Sequence, residues 1–276
     1  MHVVARIRRA VWGIRQEAAW GWRHVRTGRR QYFVSILAYR WLALSSRHHR
    51  SYRRCRLVTD DGDVIHYRRC RGDIQGIREI YIDEIYRLPE HAAPHSLVDL
   101  GANIGLATVW FCRRYNITTF VALEPLPENF EVLRLNCAAN GLNGDVRQCA
   151  VGPARTRTHF DIGLESNLGR VGSGDLEVDV IGVEELVASL GFAPSLLKMD
   201  IEGMENSLVH DVAAPWINAF ELVSMEMHPQ YFDIGPLIEA IVASGFTYFE
   251  PIEVTSGVTR SKRERLFVRK PSTLAR

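Results

Sequence analysis

Two hydrophobic periods alternate along this chain, and each change of period marks an element. Short apolar runs at 97–100, 119–123, 146–151 and 195–199 have the length of buried strands and are bounded by turn residues. Between them, 104–115, 127–140 and 183–191 carry apolar residues at three- and four-residue spacing, the pattern of helices with a buried face. Gly141-Leu142-Asn143-Gly144 supplies the stop of the second helix. Strand and helix in alternation specify a parallel sheet with helices on both faces. Further on, Met204 to His210 reads as helix, Glu221 to Met227 as strand and Ile234 to Gly245 as helix. Thr247 to Pro251 and Arg265 to Arg269 then form a closing antiparallel pair.

One stretch departs from the alternation. Thr156 to Ile162 and Leu176 to Ile181 are strand-like and flank Gly163 to Asp175, which holds Gly163, Gly169, Gly172 and Gly174. That connection reads equally as a hairpin loop or as a lid over a site. Upstream, Arg56 to Arg68 reads as a hairpin turning at Asp60-Asp61-Gly62-Asp63. Asp73 to Leu88 reads as an amphipathic helix over the entrance of the site, closed by Pro89 and Pro94. Residues 1–56 form an extension and 57–276 the main domain, of which 57–95 is a lead-in and 96–276 the core.

Charge adds what periodicity does not show. The net charge of +2 is distributed very unevenly, for residues 1–56 hold 14 Arg and no Lys against one acid, Glu17, and the remaining residues are acidic. The extension also holds Trp12, Trp20, Trp22 and Trp41, with Phe33, Ile36, Leu37, Trp41 and Leu44 at helical spacing. Basic helices with aromatic faces lie on anionic membranes. A helical cap on the acidic body and a loosely ordered leader are the competing readings. Nucleic-acid binding is disfavoured because no known module is present. Tyr32 to Leu44 is too short to cross a bilayer and carries Arg40. No stretch has a signal peptide's apolar core, and Arg8-Arg9 lacks the apolar segment a twin-arginine signal needs. Five cysteines without a C-x-x-C pair fit a reduced cytoplasmic protein, at most peripheral to the inner face of a membrane. No Cys/His spacing suits a metal, His91 and His95 included.

The chemistry gathers around Ser96-Leu97-Val98-Asp99-Leu100-Gly101-Ala102-Asn103-Ile104-Gly105. Strand, glycine corner and helix in that order open a nucleotide-binding unit, with Asp99 at the carboxyl end of the strand, where ligands of open α/β sheets bind. Gly101 is expected to admit a ligand to the main chain, and Gly105 to let the helix start pack close to the sheet. Asn103 stands where a dinucleotide fingerprint has its middle glycine, which argues against a pyrophosphate. The following strand ends in Glu124-Pro125, and a carboxylate at that distance suits ribose hydroxyls. A nucleoside with a phosphate-free tail fits, and S-adenosylmethionine is one.

Val98 to Gly105, Leu123-Glu124-Pro125, Asn136 to Asn143 and Leu197-Lys198-Met199-Asp200-Ile201-Glu202-Gly203-Met204-Glu205 resemble the FkbM family of S-adenosylmethionine-dependent methyltransferases, over about Ile77 to Pro251. The resemblance implies a Rossmann-like class I fold with a mostly parallel seven-stranded sheet. It places Gly101, Asn103 and Gly105 near the methionine portion, Glu124 on the ribose and Ala150-Val151 near adenine, and makes a hydroxyl of a sugar, glycan or secondary metabolite the acceptor. It does not identify the base. At Ser166-Asn167-Leu168 the chain departs from the family, with Asn where a second small hydroxyl residue is usual.

A base for an alcohol belongs on the same sheet edge. Lys198 and Asp200 share a face at one strand end, as do Glu226 and His228 at the next. His228 is the best-placed base, because imidazole ordinarily titrates near neutrality. Glu226 is expected to orient it, and Asp200 to meet the methionine ammonium or the acceptor. The plainer readings are that Asp200 or Glu202 caps the following helix and that His228 is a turn residue. A nicotinamide-dependent oxidoreductase and a non-catalytic membrane-surface protein stand as alternatives.

Overall fold

The computed structural model describes residues 2–44, 53–161, 170–171, 176–201, 204–209, 215–249 and 264–269. Helix α1 (His2–His24) leads through strand β1 (Val25–Thr27) into α2 (Arg29–Leu44). Strands β2 (Arg54–Thr59) and β3 (Val64–Arg68) form the expected hairpin, which β1 extends to three antiparallel strands. Helix α3 (Arg71–Ile77) runs into a π-helical turn, Arg78–Ile82, and ends there, short of the expected Leu88. The cause is local. Arg78 is tied to Asp83 at 3.1 Å, and Glu84 takes a left-handed backbone with φ 46°, which turns the chain out of the helix.

The core follows as β4 (Ser96–Leu100), α4 (Leu106–Tyr115), β5 (Thr119–Leu123), α5 (Pro127–Ala139) and β6 (Asp145–Arg147). Next come β7 (Ala150–Gly152), β8 (Thr156–Asp161), β9 (Arg170–Val171) and β10 (Leu176–Gly182). The chain continues through α6 (Val183–Ala188), β11 (Leu196–Met199), α7 (Glu205–Val209), β12 (Leu222–Glu226), α8 (Ile234–Ala243), β13 (Phe246–Phe249) and β14 (Glu264–Arg269). Seven strands build one sheet in the order β13-β14-β12-β11-β4-β5-β6. Only β14 runs antiparallel to its neighbours in it. This is the Rossmann-like class I arrangement, with β11 central, β4 beside it and the strand order reversing between the two.

The single strand expected over 146–151 is two. β6 pairs with β5 in the large sheet, whereas β7 pairs with β10 in a second sheet ordered β7-β10-β8-β9. An apolar run cannot reveal that its two halves enter different sheets. The β8–β10 antiparallel pair is as expected. Of the candidate lid only Arg170 and Val171 are described, so the departure at Ser166-Asn167-Leu168 lies outside the described residues.

Strand alternation sorts the core. Leu97, Phe120, Ala122 and Leu196 join α4 and α5 side chains in one cluster. Val98, Leu100, Val121, Leu197 and Met199 join Leu186, Leu208, Leu237 and Ile241 on the other face. A sheet buried on both faces reads as continuous apolar runs, which is why these strands were visible in the sequence. The first cluster also takes in Val25, Tyr32 and Ile36 from the basic extension, so α2 packs as a cap and residue 56 falls inside β2. Helix α5 closes the edge of β3. Asn140 exchanges two hydrogen bonds with the Val64 backbone, at 2.8 and 2.7 Å, and Asn136 exchanges two with His66, at 2.6 and 2.9 Å. Two amides one helical turn apart thus take the place of a neighbouring strand. No helix among the described residues is long and apolar enough to cross a membrane.

Candidate active site

The carboxyl ends of β4 and β11 flank the point where strand order reverses, the usual ligand crevice of such sheets. The Gly101–Gly105 corner there is built by backbone bonds: Gly101 and Ala102 both donate to Leu123 O, at 3.1 and 2.8 Å, and Gly105 donates to Ala102 O. Gly101, Asn103 and Gly105 have φ of 78°, 51° and 80°. The glycines answer to the chain itself. A Cβ on Gly101 would stand 1.9 Å from Asp200 O, and one on Gly105 would stand 2.6 Å from Leu133 Cδ1. Gly101 therefore admits the continuation of β11, and Gly105 admits α5 rather than the sheet.

Glu124, just beyond β5, is 4% exposed. It accepts from Asn103 N at 2.9 Å, Leu126 N at 3.0 Å and Asn129 Nδ2 at 3.2 Å. Arg68 fixes that amide by donating to Asn129 Oδ1 at 2.7 Å, and is itself held by buried Asp73. Burial pushes the Glu124 carboxyl up to about 7 against the pull of its donors. Three of roughly four acceptor directions are used, so Glu124 both shapes the corner and keeps capacity for a hydroxyl. Ala150 packs with Leu126, two residues beyond Glu124, whereas Val151 faces the other core cluster.

Asp99 is wholly buried. Its Oδ2 accepts from Thr108 at 2.6 Å and its Oδ1 pairs with Lys198 Nζ at 3.2 Å. Lys198 also donates to Gly101 O at 2.7 Å and lies 5.9 Å from the centre of the Tyr86 ring. The geometry makes Asp99 a brace for the corner, acting through Lys198.

Asp200, Glu226 and His228 come together as the strand ends imply, with ligand-type atoms within 4.8 Å of one another. His228 Nε2 lies 4.0 Å from Asp200 Oδ1 and 3.9 Å from Glu226 Oε1. Neither distance is a hydrogen bond. The residue that orients the ring is Glu205, at the start of α7, whose Oε1 is 3.1 Å from Nδ1, and Tyr231 stacks on the ring. The sequence pattern points to Glu226 for this role and assigns none to Glu205. Asp200 titrates above the usual carboxylate range because it is buried, against the pull of Lys198 and His228. Glu79, on the π-helical turn, is pushed to about 7 by burial despite a bond from Gln75, and Asp200 adds repulsion. The acids Asp200, Glu226 and Glu79 give the crevice an excess of carboxylates over Lys198 and His228. Glu202 lies outside the described residues.

Glu205 and Glu79 were absent from the expected site, and Lys198 was expected on its edge beside Asp200 but without a role. Lys198 had a signal, being a lone cation in the apolar run Leu196-Leu197-Lys198-Met199. All five cysteines are free thiols.

Comparison with known proteins follows the same lines. The chain is 24% identical over 218 residues to Methyltransferase 1 of Beauveria bassiana, covering 68% of this chain and 87% of that one. It is 28% identical over 209 residues to the 31-O-demethyl-FK506 methyltransferase FkbM of Streptomyces tacrolimicus, covering 62% and 80%. Against the crystal structure of Methyltransferase FkbM from Methylobacillus flagellatus KT, 17% identical, the TM-score is 0.45, over 66% of this chain and 45% of that one. The Methyltransferase FkbM domain itself matches residues 99–253, from the buried acid of β4 to beyond His228, and the chain belongs to this family of methyltransferases.

Proposed function

We propose that the chain transfers a methyl group from S-adenosylmethionine to a hydroxyl of a sugar, glycan or secondary metabolite. The observation that carries this reading is a histidine fixed at Nδ1 by Glu205, with Nε2 beside Asp200 and Glu226, on the sheet edge that holds Glu124 and the corner. The name of one relative, a 31-O-demethyl-FK506 methyltransferase, puts an oxygen at its acceptor position and supports the same choice. Membership of a methyltransferase family disfavours the nicotinamide alternative.

The residues suit the cofactor. Asn103 Oδ1 is a buried acceptor without a hydrogen-bond partner, suited to an ammonium, and the excess of carboxylates suits a ligand of net positive charge. Glu124 receives ribose hydroxyls, Ala150 and Leu126 offer an apolar wall to adenine, and Asp200 faces the ammonium or the acceptor. The cofactor, when bound, supplies a methyl carbon with a sulfide leaving group. His228 Nε2 takes the proton from the acceptor hydroxyl, and Glu205 stabilises the resulting imidazolium. Asp200 and Glu226 position the hydroxyl, and Lys198 holds the corner through Gly101 O. Such positioning contributes ~7–11 kcal/mol and a base roughly 10²–10⁴-fold.

The test is ligand-dependent melting. S-adenosylhomocysteine at about a hundred times its dissociation constant stabilises the fold by ~2.7 kcal/mol, a shift of several degrees, and Glu124→Ala removes most of it. A shift with NAD in place of S-adenosylhomocysteine overturns the proposal.

A further inference from the structure

We propose that the outer face of the α1–α2 cap is a docking surface for an anionic lipid bilayer. Eight large apolar side chains stand exposed among the described residues, and five of them, Val11, Trp22, Phe33, Val34 and Leu37, come from this cap. Helix α2 has already spent its buried seam, because Tyr32, Ser35 and Ile36 face the core at 1% exposure or less. Phe33, Val34 and Leu37 are therefore surplus to the fold, 44–48% exposed, and an apolar patch of this kind marks an interaction surface. Trp22 is 74% exposed yet held beside α2, with the Arg29 guanidinium 5.5 Å from its ring centre.

The exposed charged side chains described on the cap have one sign. Arg15, Arg23, Arg26, Arg29 and Arg30 are exposed. The sole acid of residues 1–56, Glu17, is buried and paired with Arg78 at 3.2 Å. Arginines attract anionic headgroups, while a tryptophan and aliphatic side chains enter the headgroup–acyl boundary. Duplex nucleic acid would use the arginines but leave Phe33, Val34 and Leu37 wet, so the bilayer is the better match. The remainder of the chain carries 31 of the 32 acids, and an anionic surface would repel it. The charge asymmetry thus orients the molecule, cap down and body away. The cap also rests on the segment beside the crevice. Arg78, bound to Glu17, precedes Glu79 on the π-helical turn, and Tyr81 of that turn lies 6.1 Å from Trp20, ring to ring. Docking would hold the segment that borders the site.

The test is co-sedimentation of the full chain with vesicles of equal parts phosphatidylcholine and phosphatidylserine, and with phosphatidylcholine alone. Binding to the mixed vesicles only, weakened by salt, is expected. A triple variant, Arg23→Glu with Arg26→Glu and Arg30→Glu, should bind at least ~100-fold more weakly, since each basic residue near such a surface is worth about fivefold. Trp22→Ser with Phe33→Ser should also weaken binding, and the arginine variant should keep the parental melting temperature, because its three side chains stand in solvent. Brominated lipid should quench the parental fluorescence and lose part of that effect in Trp22→Phe. Absence of co-sedimentation, full retention by the triple arginine variant, or displacement from vesicles by duplex DNA at equal phosphate concentration would each overturn the proposal, the last by assigning the face to nucleic acid.

Discussion

His228 donates its Nδ1 proton to Glu205 across 3.1 Å, between residues 23 positions apart. The direction follows from the partner, since a carboxylate only accepts, and the same oxygen also accepts from Ile201 N at 3.1 Å. Nδ1 facing a carboxylate donates, and a neutral ring then carries its lone pair on Nε2, near Asp200 and Glu226. Glu205 thereby selects the tautomer a proton acceptor needs.

The first expected outcome concerns that pair. Glu205→Gln keeps an acceptor for Ile201 but offers the ring no charge, so on the proposed mechanism an imidazolium at His228 would lose its stabilising partner. The turnover number should fall by about 10²-fold or more, with the cofactor dissociation constant within a few-fold of the parent. Steady-state kinetics beside a binding titration separates the two. Should His228→Ala retain parental turnover, the proton goes elsewhere and Asp200 becomes the base.

Glu124 gives a pH dependence of defined sign. Its carboxyl is pushed to about 7 by burial, above its ordinary value, so in the unliganded protein it binds a proton more readily than in the unfolded chain. Its contribution to stability therefore falls as pH rises from about 4.5 to about 7 and is level above. On the proposed reading ribose hydroxyls would donate to the ionised form, so affinity should run the opposite way. The dissociation constant for S-adenosylhomocysteine should rise toward tenfold per unit as pH falls below about 7, and Glu124→Gln should flatten the profile. Calorimetric titration at several pH values reads this directly; parallel profiles for parent and variant would remove Glu124 from the ribose.

The sheet was legible because its strands are apolar on both faces, and Leu97 to Leu100 or Phe120 to Leu123 can be read without knowing their neighbours. The corner and Glu124 were legible through spacing. Two kinds of information were not. Gly101 looked like space for a ligand, yet the atom it makes room for is Asp200 O, about a hundred residues away in sequence, and spacing within one motif says nothing about a distant backbone. The partner of His228 was equally hidden, because an acid in the first turn of a helix satisfies local rules whether or not an imidazole lies beside it. Glu226, nearer in sequence and on the same strand face, ends 3.9 Å from the wrong nitrogen. Asp99 was placed correctly on its strand, but only α4 and β11 together show that Thr108 and Lys198 occupy its oxygens.

That occupancy makes a stability prediction. Lys198→Met leaves Asp99 buried without its cation, a loss of ~3–5 kcal/mol for breaking one partner of a buried pair. Adding Asp99→Asn should recover a substantial part, since Asn still accepts from Thr108 and carries no charge. Urea unfolding of the two single variants and the double completes a cycle. Additive losses would show that the 3.2 Å approach carries no coupling, and Lys198 would then act on Gly101 O alone.

Gly101 and Gly141 allow one more experiment, because they share a backbone region and differ in their surroundings. Both have positive φ, 78° and 68°, so alanine at either carries the same ~1–2 kcal/mol conformational penalty. At Gly141 a Cβ meets nothing within 4 Å, whereas at Gly101 it would lie 1.9 Å from Asp200 O. Gly141→Ala should therefore lower stability by about that penalty and leave S-adenosylhomocysteine binding intact. Gly101→Ala must push β4 and β11 apart at their carboxyl ends, which moves Asp200 and breaks the Lys198 bond to Gly101 O. It should lose cofactor binding outright and considerably more stability than Gly141→Ala. Equal melting temperatures for the two variants would mean that the corner yields without cost, and that Asp200 is not held in place by the close approach of the two strands.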